Sequence, residues 1–298
     1  MSMNIRLGTR GSRMAIFQSQ LVADRLMAAH PGLTVDLVRI ATAGDKDQTT
    51  PLPEGTGTGW FTTALQDALT AGSVDFAVHS YKDLPTKRPD GLTIAAIPLR
   101  DDPRDAVVST GKTLRQLPAG ARVGTSSPRR EAQLRELRPD IEVEPIRGNV
   151  DTRIAKVDAG EYDAIVVAIA GLRRLGQEGR AVEILGFEEM LPAPAQGALA
   201  IECRTADTDT RRLLAAIDDP TVRTKVTAER SFLAALEAGC SFPAAAYAEE
   251  FGSTLKLHAL IAQGGHIFRS KMGGPSETAA GLGRALAAEL LRLAGSAH

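Results

Sequence analysis

A cysteine on a predicted turn is the first residue of this sequence with a distinctive chemistry. Cys240 follows residues 224–237, where apolar side chains recur at helical spacing. Gly239 suits the position just after a helix end, and Pro243 prevents the helix from continuing. The pattern predicts a thiol on a tight turn, within reach of a ligand. The alternative is a small buried side chain, which is the commoner environment of a free cysteine.

Four motifs rich in arginine and hydroxyl side chains each follow a predicted strand. Ligands collect at the carboxyl ends of strands in open α/β sheets, and helix N-termini there offer unpaired N–H groups to anions. Because arginine binds carboxylates through two parallel hydrogen bonds, the ligand is expected to carry several carboxylates or phosphates. Ser12 is a candidate N-cap of one helix, and Thr125, Ser126 or Ser127 could cap another, with Pro128 in its first turn. A single motif of this kind is more often only a helix cap with solvated charge. The motifs are Thr9-Arg10-Gly11-Ser12, Ser80-Tyr81-Lys82-Asp83, Thr125-Ser126-Ser127-Pro128-Arg129-Arg130, and Arg147-Gly148-Asn149 with Arg153.

Asp83 is an acid among these cations. It either pairs with Lys82 or a nearby arginine, or forms a turn before Pro85. The functional interpretation is a carboxylate directed at positive charge that develops during a reaction. His79 is interpreted as a structural histidine, because no second His or Cys lies at ligand spacing, and no metal site is predicted. The sequence also has no glycine-rich phosphate loop, which disfavours a nucleotide or phosphoryl enzyme.

Strands and helices alternate over the first two-thirds of the chain, which predicts two α/β lobes with mainly parallel sheets. After residue 218 a helix, several strands and a closing helix predict a small α+β segment. The polar stretch 43–59 has no period and is expected to be either disordered or a working lid. Charged or proline-rich crossings at 100–105 and 191–197 divide the chain. The predicted domains are 1–99 with 194–217, then 100–193, and finally 218–298.

Composition excludes several classes of protein. A chain of 298 residues with 43% hydrophobic residues is long enough for two domains, or three if one is small. A net charge of −1 and 4% aromatic residues disfavour a nucleic-acid surface. No signal peptide or membrane span is predicted. Two cysteines do not form a disulfide framework, Cys203 reads as part of a buried strand, and the predicted compartment is the reducing cytoplasm.

Taken in order, these stretches resemble the porphobilinogen deaminase (hydroxymethylbilane synthase) family. The resemblance runs from about residue 5 to about residue 270. The stretches that carry it include Thr9–Ser12, Ala77–Pro85, Asp102–Asp105, Val123–Arg130, Arg147–Asn149, Ala170–Gly176, Gln196-Gly197, Thr227–Arg230 and Gly239-Cys240.

The resemblance implies a fold, a cofactor and a reaction. The fold would be two lobes built like type II periplasmic solute-binding proteins, followed by a small C-terminal α+β domain. A dipyrromethane cofactor would be bound through a thioether to Cys240. The enzyme, a transferase, would join four porphobilinogen molecules head to tail on that primer, lose ammonia each time, and release the linear tetrapyrrole by hydrolysis. The substrate is the only partner implied, and the chain is expected to be a monomer.

The resemblance also assigns residues to roles. Asp83 matches the catalytic aspartate, which stabilises cationic intermediates. Side chains expected to bind cofactor or substrate carboxylates are Arg10, Lys82, Arg129, Arg130, Arg147, Arg153 and Arg174. Side chains expected to add hydrogen bonds are Ser12, Ser80, Thr125, Ser127 and Gln196.

Departures from the family pattern at Thr58, Ala195 and Ala238, and one rival function, bear on these expectations. Thr58 stands where many members carry a lysine, so that cation is missing from the loop before Phe61. Ala195 and Ala238 each replace a frequent glycine, and because alanine is also small, little consequence is expected. The main rival is a non-enzymatic two-lobed anion receptor, since the fold alone permits it. Such a receptor needs neither Cys240 nor Asp83.

Overall fold

The computed structural model of this protein describes residues 3–41, 59–236 and 242–296, with residues 59–61 described by their backbone alone. Cys240 and the predicted loop 43–59, except Gly59, therefore lie outside the described residues. The chain forms two compact units, one comprising Met1–Asp101 with Ala198–Arg223 and the other Asp102–Gly197 with Thr224–His298. None of the described helices is both long and apolar enough to span a membrane.

The strands and helices follow the predicted alternation. The strands are β1 (Met3–Thr9), β2 (Leu33–Arg39), β3 (Phe76–Ser80), β4 (Leu92–Ala96), β5 (Asp105–Ser109), β6 (Arg122–Gly124), β7 (Glu142–Glu144), β8 (Ala164–Ala168), β9 (Glu183–Ile184), β10 (Leu199–Arg204), β11 (Ala244–Phe251), β12 (Thr254–Gln263) and β13 (His266–Pro275). The helices are α1 (Arg13–Ala29), α2 (Gly59–Thr70), α3 (Pro128–Leu137), α4 (Val150–Asp158), α5 (Ile169–Arg174), α6 (Thr208–Ala215), α7 (Pro220–Ala235) and α8 (Ala279–Gly295).

The first unit is built on a five-stranded sheet with the order β2-β1-β3-β10-β4. β1 runs parallel to β2 and β3, whereas β10 runs antiparallel to β3 and β4. Helix α1 begins as predicted, because the Ser12 hydroxyl accepts the Ala15 N–H. Its buried face packs Val22 and Leu26 against the sheet core around Leu7.

The second unit contains a five-stranded sheet built on the same plan, with the order β7-β6-β8-β5-β9. β6 runs parallel to β7 and β8, whereas β5 runs antiparallel to β8 and β9. Each sheet thus has three neighbouring parallel strands followed by an antiparallel strand, which agrees with the predicted mainly parallel sheets. β8 is buried along Ala164–Val167, as expected for a strand covered on both faces.

The C-terminal part of the second unit is an antiparallel meander, β11-β12-β13, packed against α7 and α8. Its core holds Phe232, Leu257, Leu286 and Leu290. The sheet also packs on the segment before Gly197, where the rings of Phe187 and Tyr247 stack with centroids 4.0 Å apart. The predicted fold class, two α/β lobes and a small α+β segment, is confirmed, while the division into three domains stays a prediction.

Candidate functional site

Two of the predicted motifs lie at one edge of the first sheet. Arg10 and Ser12 follow β1, and Ser80 ends β3. Because β1 and β3 are parallel neighbours, both motifs lie at their carboxyl ends. A hydrogen bond ties them together, since the Gln18 Nε2 of α1 donates to the Ser80 Oγ at 2.9 Å. The Ser12 hydroxyl caps α1 by accepting the Ala15 N–H.

Asp83 lies on a one-turn 3-10 helix, Tyr81–Asp83, that directly follows β3. The turn is anchored on both sides, because Tyr81 and Leu84 are buried and the Tyr81 N–H donates to the Ala198 carbonyl at 3.0 Å. Lys82 is half-buried, and the Asp83 side chain is exposed. The fold therefore holds the backbone of this turn rigidly while it presents the carboxylate to solvent.

A buried polar cluster supports β3 behind this turn. The His79 Nε2 lies 3.2 Å from an Oε2 atom of Glu202, a fully buried carboxylate on the neighbouring strand β10. The Gln66 Nε2 donates to the same carboxylate at 3.2 Å. His79 is therefore a structural histidine, as predicted. The sequence reasoning did not single out Glu202, although an acid within the apolar run Leu199–Cys203 is an unusual strand residue.

The third motif opens α3 in the second unit. Ser127, one of three candidate caps in the sequence, accepts the Arg130 N–H, and Pro128 occupies the first turn, as predicted. Thr125 is buried, and its hydroxyl accepts the Ser127 N–H at 3.2 Å. The two arginines that follow are buried rather than solvated, with side-chain exposures of 5% for Arg129 and 8% for Arg130.

Asp105 is the residue that holds both arginines. Its Oδ2 accepts the Arg129 Nη1 at 2.8 Å, and its Oδ1 accepts the Arg130 Nη2 at 2.7 Å. Gln196 completes the group, because its Nε2 donates to the Asp105 Oδ1 at 2.8 Å and to the Pro103 carbonyl at 2.7 Å. Burial alone raises the pKa of Asp105, but the charges and hydrogen bonds of the arginines outweigh it and hold that pKa far below its usual range.

Sequence reasoning missed Asp105. It belongs to one of the stretches that resemble the family, yet neither its pairing nor a role could be read from that stretch. The available signal was an acid at the start of the apolar strand β5, where burial is complete. A buried carboxylate requires cationic partners, and the chain supplies them in α3.

The fourth motif adds two cations near Arg130. Asn149 caps α4 through the Thr152 N–H, and the Arg153 Nε donates to the Gly148 carbonyl at 2.8 Å. Burial, and then the charges of Arg130 and Arg147, lower the pKa of Arg153 to about 10. Arg147 is exposed and lies in the segment between β7 and α4. These guanidinium groups repel one another, which favours a bound anion among them.

The remaining predicted side chains have definite places in the structure. Arg174, at the end of α5, is buried and donates through Nη2 to the Gly197 carbonyl. Cys203 is buried in β10, as predicted, and desolvation raises the pKa of its thiol to about 11. Among the described residues, no group of three His, Cys, Asp or Glu side chains is placed to hold a metal ion.

The predicted site residues thus fall into two described sets and one position outside them. The first unit brings Arg10, Ser12, Ser80, Lys82 and Asp83 to one sheet edge. The second unit brings together Thr125, Ser127, Arg129, Arg130, Arg147, Arg153, Arg174 and Gln196. Cys240 lies outside the described residues.

Comparison with known proteins gives a consistent family. The family model for the porphobilinogen deaminase "dipyromethane cofactor binding domain" matches residues 5–212, and the model for the porphobilinogen deaminase C-terminal domain matches residues 223–292. The porphobilinogen deaminase of Roseiflexus castenholzii is 48% identical over 99% of this chain and 98% of its own length. The porphobilinogen deaminase of Mycobacterium tuberculosis is 50% identical over 97% of this chain and 96% of its own length. Among solved structures, the methionine-binding protein MetQ is 13% identical over 80% of this chain and 96% of its own length, with a TM-score of 0.46.

Proposed function

Because this chain belongs to the porphobilinogen deaminase family, we propose that it joins four porphobilinogen molecules head to tail on a primer carried by Cys240. Each addition releases ammonia, and hydrolysis releases the linear tetrapyrrole, so the chain is a transferase of the hydroxymethylbilane synthase type. The dipyrromethane cofactor, when bound, supplies the free pyrrole position to which the first substrate is joined. All other steps depend on the side chains of this protein.

The observation that carries the proposal is the group of cations formed by Arg130, Arg147 and Arg153. Porphobilinogen and the cofactor bear an acetate and a propionate on each ring, so the negative charge of the enzyme-bound pyrrole chain grows with every addition. The described part of the chain gives Arg147 and Arg153 no carboxylate partner. Burial, and then the charges of Arg130 and Arg147, lower the pKa of Arg153. The buried Nε atoms of Arg129 and Arg130 also have no hydrogen-bond partner there. This donor set fits a ligand with several carboxylates.

Asp83 is the acid that we place at the reacting centre. Loss of ammonia leaves positive charge on the substrate, and an ionised carboxylate held nearby stabilises that charge in the transition state. The buried neighbours Tyr81 and Leu84 fix the turn, so the carboxylate needs little reorganisation during the reaction. Arg10 and Lys82 belong to the same sheet edge and would bind the substrate carboxylates beside it.

We also propose that the protein works as a monomer in the cytoplasm, with no nucleic-acid or membrane partner. The near balance of charges, with a net charge of −1, argues against an extended basic surface for nucleic acid. Two cysteines in a chain of this length suit a reducing compartment. Light scattering of the purified protein tests the monomer directly.

Intact-mass measurement tests the covalent anchor. The wild-type chain, expressed with substrate available, should exceed its polypeptide mass by one dipyrromethane. Cys240→Ser should lose that increment, whereas Cys203→Ala, which alters the other cysteine, should keep it. A bare wild-type chain that still converts porphobilinogen would refute the anchor.

Turnover measurements test Asp83. Asp83→Asn should lower kcat by about 100-fold or more, because a preorganised charge is lost from the reacting centre. Asp90→Asn removes an exposed carboxylate a few residues further along the chain and should leave kcat unchanged. If the wild type binds porphobilinogen but neither acquires the adduct nor releases ammonia, the protein is an anion receptor instead.

A further inference from the structure

We propose that Asp105 is a positioning residue that orients the arginines of the second unit toward the carboxylates of the cofactor and substrate. The inference rests on the proposed function and extends it to a residue outside the predicted site. Asp105 is fully buried at the first position of β5. It touches no solvent, so its effect on a ligand must pass through the side chains that it holds.

Asp105 fixes the direction of each guanidinium. A guanidinium is planar, so two hydrogen bonds at one end set the orientation of the other N–H groups. The Arg130 Nη2 is held by Asp105, and its Nη1 donates to the Val166 carbonyl at 3.0 Å. The Arg129 Nη1 is shared between Asp105 and the Leu191 carbonyl. Both groups are thereby held in one orientation before any ligand arrives.

Asp105 also balances the charge of the arginine pair. Arg129 and Arg130 are adjacent in the first turn of α3, where the helix dipole disfavours cations. Two buried neighbouring cations at a helix N-terminus need a compensating acid, and Asp105 is that acid. One carboxylate cannot also neutralise Arg147 and Arg153, so the cluster stays attractive to anions. Asp105 therefore stabilises the buried arginine pair, while Arg147 and Arg153 keep the site positively charged.

Asp105 is also hydrogen-bonded to Gln196. This side chain is fully buried, and its Nε2 donates hydrogen bonds to Asp105 and to the Pro103 carbonyl. A residue predicted to bind the ligand is thus bound to the same acid as the two arginines. Displacing the Asp105 carboxylate would disturb three predicted ligand-binding residues together.

The test compares Asp105→Asn and Asp105→Glu with wild type in the full-length chain. Asp140→Asn is the matched control, because Asp140 pairs with Arg138 in the same unit but on the exposed surface. Four quantities are measured: the fraction of chains with the adduct by intact mass, the thermal midpoint, and kcat and KM for porphobilinogen per adduct-bearing chain. The adduct fraction reports on assembly independently of turnover.

We expect the two variants to differ in an informative way. Asp105→Asn removes the charge and should lower both the adduct fraction and the thermal midpoint. Asp105→Glu keeps the charge but moves the carboxylate by one methylene, so the midpoint should stay within a few degrees. A displacement of ~1 Å at the arginines should nevertheless cost about 100-fold in kcat/KM. Asp140→Asn should match the wild type in adduct fraction and kinetics.

The outcomes separate this inference from the proposed function. If Asp105→Glu has the adduct fraction, kcat and KM of the wild type, Asp105 only balances charge and the positioning role is refuted. If Asp105→Asn does not fold, the glutamate variant alone decides. A wild-type chain with neither adduct nor turnover overturns the proposed function, and this inference falls with it.

Discussion

Replacing Gly283 by alanine tests the closest helix packing in the C-terminal part of the second unit. Gly283 lies on the buried face of α8, where that helix crosses α7. A Cβ atom at this position would lie 2.3 Å from the Ala228 carbonyl oxygen and 2.7 Å from the Phe232 backbone nitrogen. Optimal separations between non-bonded heavy atoms are ~3.5 Å or more, and backbone atoms of a helix cannot rotate away. The two helices must therefore separate by roughly 1 Å.

Two opposing effects determine the expected change in the free energy of unfolding. Overpacking a buried contact destabilises a protein by ~1–3 kcal/mol, and a clash with main-chain atoms belongs at the upper end of that range. Alanine in place of glycine stabilises a helix by about 1 kcal/mol. The net loss for Gly283→Ala is then about 2 kcal/mol in the free energy of unfolding. For a chain of this size that corresponds to a thermal midpoint lowered by roughly 4–8 °C.

Gly281 supplies the control on the same helix. The nearest atom to a Cβ at Gly281 is the Arg284 Nη2, at 4.0 Å, so no clash is expected. Gly281→Ala should gain helix propensity alone and raise the thermal midpoint by roughly 2–4 °C. Circular dichroism melts of the two variants beside the wild type give the comparison. If both substitutions raise the midpoint equally, α7 and α8 are not in the close contact described.

Three further predictions concern single residues. Ala195 has a φ of 64°, which favours glycine. Ala195→Gly should therefore give an equal or higher thermal midpoint, with a gain of up to about 1 kcal/mol in the free energy of unfolding. A clear decrease in the midpoint would contradict backbone strain at this residue. Cys203 is buried with its thiol pKa raised to about 11, so iodoacetamide at pH 8 should modify it in urea but not in the native protein, and peptide masses report the difference. Burial raises the pKa of Asp75, yet hydrogen bonds from Arg6 and Arg204 outweigh it and hold that pKa below its ordinary value. Asp75→Asn should therefore cost about 1–3 kcal/mol at pH 7 in urea denaturation, and the gap to wild type should shrink below about pH 4, where the wild-type carboxyl also takes up a proton. A gap that is independent of pH would show that the ionised carboxylate contributes nothing.

Local signals in the sequence were sufficient for the elements and their caps. Ser12 was predicted to cap one helix, and Thr125, Ser126 or Ser127 another. Ser12 and Ser127 each accept a backbone N–H there, because capping depends only on neighbours a few positions away. Ala195 was expected to matter little because alanine is small; that expectation took no account of the backbone conformation and stays a prediction. The positive φ of Ala195 depends on the loop geometry, which no local pattern reveals. The Glu229 carboxylate, from a distant helix, accepts the Ala195 N–H at 2.7 Å and helps to hold that conformation.

Asp105 was missed because the sequence reasoning treated the sheets as mainly parallel. In a parallel sheet the first residue of a strand lies at the edge opposite to the ligand. β5 runs antiparallel to β8, so Asp105 pairs with Ala168, the last residue of that strand. In the first unit β10 runs antiparallel to β3, so its first residue, Leu199, pairs with Ser80, the last residue of β3. One reversed strand in each sheet thus brings its own beginning to the carboxyl edge of its neighbours. An acid at the start of such a strand can reach cations that follow the parallel strands, however far apart they lie in sequence. The search for counter-charges in a sheet of this plan should therefore begin at the first residue of the reversed strand.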